Sequence, residues 1–113
     1  MITRLEPNEV FVFGSNTSGQ HAGGAAAIAN AKFGAVWGEG QGLHGQSYAI
    51  DTMSGIATIA IEAETFLKFA KEHPHLRFLV TKIGCGIAGF TSEQIAPLFH
   101  GSTDNVVLPV DIR

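Results

Sequence analysis

The chain carries a single cysteine, Cys85, in 113 residues. That excludes a structural disulfide within it and points to a reducing compartment. Basic side chains are also few: seven Lys and Arg stand against ten Asp and Glu, a formal net charge of −3, with no basic cluster. Duplex nucleic acid needs a dense basic surface, because phosphate neutralisation dominates that affinity. Nucleic acid is therefore not expected as the main partner. A small nucleotide stays compatible, since backbone amides can hold a diphosphate without basic side chains. No apolar run is long enough to span a bilayer, and residues 1–6 lack the charged-then-apolar order of a signal segment. A cytoplasmic protein with no membrane partner is the expectation. His21, His44, His73, His75 and His100 show no metal-ligand spacing, so neither a metal nor a cofactor is expected.

Glycine is what the sequence has in quantity. Twelve of its fourteen glycines fall within residues 14–45 or 84–89. Each region follows a strand-like run, Phe11-Val12-Phe13 before the first and Phe78-Leu79-Val80 before the second. Glycine serves where φ is positive or where a ligand must approach the backbone closely. A strand, a glycine turn and a helix N-terminus together present free N–H groups and the positive end of a dipole, which suits an anion. Two such loops suggest a pocket for a phosphorylated ligand. Neither is a dinucleotide fingerprint or a P-loop, and tight turns against a closely packed helix are the competing explanation.

With 45% apolar residues, residues 1–113 suit one domain with a real core. Residues 9–13 predict a buried strand, 22–32 a small-residue helix, 33–46 a loop and 47–50 a strand. Residues 59–73 suit an amphipathic helix with Ile59, Ala63, Phe66, Leu67 and Ala70 inward, ended by His73 and Pro74. Residues 77–82 predict a strand. Thr91 and Gln94 have capping-box spacing for a short helix reaching Phe99, with Pro97 making it irregular. Residues 105–109 predict a last strand. Strands alternating with helices give an α/β class, a sandwich with a mixed, partly parallel sheet flanked by helices. Ligands in such sheets sit at the carboxyl ends of strands, where both glycine loops begin.

The arrangement resembles the macrodomain family, which binds ADP-ribose and related nucleotides. The run from Lys82 through Gly84, Cys85, Gly86, Ile87, Ala88 and Gly89 to Phe90 is similar to that family's second phosphate-binding loop. Gly14, Ser15 and Asn16, followed by Gly23, Gly24 and Ala25, are similar to its first. Phe11 to Phe99 looks like small macro-like proteins of bacteria and phages, in a chain shorter than most macrodomains. The resemblance implies a compact macro-like fold. It also implies a diphosphate held by the backbone amides of Gly23 and Gly24 on one side and of Gly84, Gly86, Ile87, Ala88 and Gly89 on the other. Phe90 would stack on the distal ribose and Asn16 would hydrogen-bond it. Against this, Phe90 also fits a core aromatic and Asn16 a turn residue.

The same resemblance bears on catalysis. The glycohydrolase branch with the most similar loop uses a lysine after a central strand and an aspartate just past the loop. The corresponding places here hold Thr52 or Met53, and Ala88. None of these moves a proton. Asn16 is left as the candidate that positions a water. Asp51 suits a base or a ribose contact, although a solvated carboxylate is the commoner role at a strand end. A Cys85 thiolate at a helix N-terminus would be activated, but a small packing residue fits the glycine setting better. Three functions follow: a reader or sink for an ADP-ribose-type nucleotide, a hydrolase of ADP-ribosyl bonds, or an accessory interaction protein without ligand.

Overall fold

Val10 and Val12 alternate with Phe11 and Phe13, so β1 (Glu9–Ser15) is apolar on both faces and takes the centre of the sheet. The structure is a computed structural model that describes residues 5–15, 42–81 and 90–109, without the side chains of Ser15 and His44. The predicted helix 22–32 and the candidates Asn16, Gly23, Gly24, Ala25, Gly84, Cys85, Gly86, Ile87, Ala88 and Gly89 lie outside the described residues.

Four further strands complete the sheet: β2 (Gly42–His44), β3 (Ser47–Asp51), β4 (Arg77–Val80) and β5 (Val106–Val107), in the order β2-β3-β1-β4-β5. β1 runs parallel to β3 on one side and to β4 on the other; β5 is parallel to β4, and β2 is antiparallel to β3. The mixed, largely parallel sheet with helices is the expected α/β class.

Helix α1 (Ile56–Glu72) connects β3 to β4 and crosses β1 on the way. Its Ile59, Ala63, Phe66 and Ala70 recur at helical spacing and pack on Val10, Val12, Tyr48, Ile50, Phe78 and Val80 of the sheet. Phe66 is the hub, with its ring 5.0 Å from Tyr48, 5.4 Å edge-on to Phe78 and 6.3 Å from Phe99. Truncating it to alanine would cost ~3–5 kcal/mol. Leu67, expected inward, is half-buried at the margin of this cluster. The opposite face of the sheet is buried as well, at Phe11, Phe13, Ser47 and Ala49.

Several boundaries differ from the sequence expectation. Residues 42–44, predicted as loop, form β2. Gly45, at φ 59°, and Gln46 make a two-residue hairpin turn between His44 and Ser47, and positive φ at the first turn position is what such a hairpin uses. Helix α1 starts at Ile56 rather than 59 and ends at Glu72. The fourth strand stops at Val80 and the last is only Val106–Val107. Thr91 caps α2 (Ser92–Ile95) with the predicted box, its hydroxyl accepting from Gln94 N while the Gln94 side chain accepts from Thr91 N at 2.9 Å. A 3-10 turn at Ala96–Phe99 accommodates Pro97. His73 is half-buried: its ring stacks 4.0 Å from Phe69 and its Nδ1 donates to Phe69 O at 2.7 Å.

Candidate functional site

The strand order reverses at β1, because β3 and β4 flank it on opposite sides. In open α/β sheets the crevice at such a switch point, beyond the carboxyl ends of the strands, is the usual ligand position. Both glycine-rich regions begin at this edge. Residues 16–41 follow Ser15 at the end of β1, and residues 82–89 follow Thr81 at the end of β4. The two strands are parallel neighbours, in register at Val12 and Val80, with an interstrand spacing of ~4.8 Å.

The edge is stepped. β4 ends level with Val12, whereas β1 continues to Ser15, level with Asp51 of β3. Three extra residues of strand raise β1 and β3 ~10 Å above the end of β4. Thr81 closes the foot of the step, both its N–H (3.0 Å) and its Oγ1 (2.9 Å) donating to Val12 O.

Asp51 forms the upper rim with β1. It is 2% exposed, which corrects the expectation of a solvated carboxylate. Its Oδ1 accepts from Met53 N at 3.0 Å, its Oδ2 from Ser54 Oγ at 2.6 Å, and its own N–H donates to Glu62 Oε1 at 2.8 Å. An aspartate binding the backbone two residues on is a turn device. Here it folds residues 52–55 into the entry of α1, with Gly55 at φ 99°. Thr52 is buried beneath Gly14, whereas Met53 is exposed. Thr52 is thus a packed hydroxyl and Met53 an exposed apolar side chain.

Among the sequence candidates, Gly14 and the Ser15 backbone stand at this edge on β1. Phe90 is half-buried and packs against the core cluster. Ser54, Glu62 and Thr81 also belong to the rim and were not singled out from the sequence. Asp-x-x-Ser at 51–54 was a local turn signal. Glu62 reaches the rim only through the packing of α1. Away from the edge, burial raises the Tyr48 phenol pKa above its ordinary value of 10.0, and the charge of Glu62 raises it further.

Among the described residues no three His, Cys, Asp or Glu side chains are grouped to hold a metal ion, and no helix is long and apolar enough to cross a membrane. No protein-family model, curated protein or solved structure matches the chain.

Proposed function

We propose that the stepped carboxyl edge binds an ADP-ribose-type nucleotide, as a reader or sink for such molecules, with the diphosphate between the two glycine-rich regions. The observation that carries this reading is the parallel pairing of β1 with β4. Residues far apart in sequence, Gly14 to Ala25 and Gly84 to Phe90, thereby start from neighbouring strands at one end of the sheet. Glycine-rich chain at a strand end, followed by helix-forming residues, supplies N–H groups to phosphate. Thr52, Met53 and Ala88 offer no acid or base, and Asp51 is engaged in its turn. Binding is thus better supported than hydrolysis.

Calorimetric titration with ADP-ribose tests the proposal, with Gly24→Val and Gly86→Val as partners. Saturable binding by the parent chain, lost in both variants while their melting curves persist, is the expected result. Absence of any heat or thermal shift with ADP-ribose, ADP and other pyrophosphate nucleotides at millimolar concentration would remove it.

A further inference from the structure

At the end of α1 the chain turns through His73, Pro74, His75 and Leu76 into β4. Leu76 N donates to His73 O at 3.0 Å and closes the turn, with Pro74 at its second position, which proline pre-sets. Asn105 Nδ2 pins the same turn by donating to both His73 O and Leu76 O at 3.1 Å. The backbone that carries the two histidines is thus held at both ends. The turn folds His75 back on His73 and leaves their ring centroids 5.9 Å apart.

The His73 ring is fixed twice over, by its stacking on Phe69 and by the bond from Nδ1 to Phe69 O. A carbonyl can only accept, so Nδ1 carries the proton and Nε2 keeps its lone pair. Histidine ligands of metals ordinarily show this arrangement, one nitrogen donating to a backbone carbonyl while the other binds the ion. Neither Nε2 of His73 nor the exposed His75 ring has a hydrogen-bond partner among the described residues. Two imidazoles on one ion, with metal–nitrogen bonds of ~2.0–2.1 Å, place their centroids about 5–6 Å apart. The observed separation falls within that range, and an exposed side chain such as His75 can turn its ring to complete the fit. The site also stands at the C-terminal, negative end of the α1 dipole, which favours a cation.

We propose that His73 and His75 together bind a divalent transition-metal ion of the zinc, nickel and copper class. Water completes the coordination, and two protein ligands make the ion exchangeable rather than structural. Imidazole selects these metals over magnesium and calcium, which take oxygen ligands. The sequence showed no metal-ligand spacing; the pinned turn is what brings the two rings together. This inference does not rest on nucleotide binding at the carboxyl edge.

The test is titration of the untagged chain with zinc sulfate, followed by NMR of the five histidine rings. The His73 and His75 signals should shift together, with one half-saturation point. His75→Gln, an exposed position, should keep the melting temperature of the parent, and so report on binding alone. It leaves a single imidazole and loses the chelate, so zinc affinity should fall by about tenfold or more. His73→Gln should do the same, and His100→Gln should leave the affinity unchanged. Copper should bind more tightly than zinc, and magnesium should leave both rings unshifted. Affinity should also fall as the pH drops below ~6.5, because protons compete for the ring nitrogens. A shift of only one of the two rings, zinc affinity unchanged by His75→Gln, or an equal response to magnesium would overturn the proposal.

Discussion

Gly14 and Thr52 share one small space: a Cβ at Gly14 would fall 3.0 Å from Thr52 Oγ1 and 3.1 Å from its Cγ2. Gly14 has an ordinary strand φ, so its glycine is required by the neighbour and not by the backbone. The first glycine of the first glycine-rich region is therefore a packing residue that lets β3 turn tightly into α1 beside the end of β1.

Gly14→Ala should destabilise by ~1–3 kcal/mol through overpacking. In a double-mutant cycle with Thr52→Ala the cost of the alanine should fall, giving a coupling of ~0.5 kcal/mol or more. Urea unfolding of the four proteins measures it, and strict additivity would contradict the contact.

Asn105 ties three segments together. Its Nδ2 donates to Ala70 O at 2.9 Å, His73 O at 3.1 Å and Leu76 O at 3.1 Å, while its Oδ1 accepts from Thr103 Oγ1. It thus satisfies carbonyls at the C-terminus of α1 and in the connection to β4. Asn105→Ala should cost ~1–3 kcal/mol. Asn105→Asp should cost more, because it sets a carboxylate against three carbonyls. Denaturant midpoints at neutral pH test the order.

Tyr48 is the chain's single tyrosine, so its ionisation can be followed directly by phenolate absorbance. Burial first, and then Glu62, raise its pKa in the folded state. The folded protein therefore favours the protonated phenol. That contribution is full below pH ~10, the unfolded pKa, and is lost as pH rises through the folded value. Stability should fall above pH 10 with a slope that Tyr48→Phe removes. A tyrosine titrating at or below 10 in the folded chain would contradict the burial argument.

The parts of this fold legible in the sequence are those set by local pattern. The buried run of β-formers in 9–13, the stripe Ile59, Ala63, Phe66, Ala70 and the Thr91–Gln94 box each act within one element, and each appears as expected. β2 was not legible: three residues including a glycine carry no strand pattern, and β3 supplies the pairing that makes them a strand. The burial of Asp51 was hidden for a related reason: the turn at 53–54 is local, but Glu62 reaches Asp51 from α1. Of the candidate site, the two glycine-rich regions stood out by composition. That they leave adjacent strands depends on β4 inserting beside β1, a pairing 68 residues apart between Glu9 and Arg77.

Phosphate held by backbone dipoles behaves differently from phosphate held by lysines. Lys32 and Lys82 are the only Lys or Arg in residues 11–45 and 78–99. Lys82→Ala should weaken ADP-ribose binding only slightly, and moderate salt should matter little, because fixed amides in a partly dry cleft are screened less than exposed ion pairs. Titrations at low and raised salt check both points.

The most direct test of the central claim is the melting temperature of the parent chain and of Gly24→Val and Gly86→Val, each with and without ADP-ribose. Ligand at one hundred times its Kd should stabilise the parent by ~2.7 kcal/mol. The account predicts a clear upward shift for the parent and none for either valine variant, with all three folded in the absence of ligand. No shift for the parent with ADP-ribose, or a shift that survives both valines and collapses with Lys82→Ala, would contradict a backbone cradle at the carboxyl ends of β1 and β4.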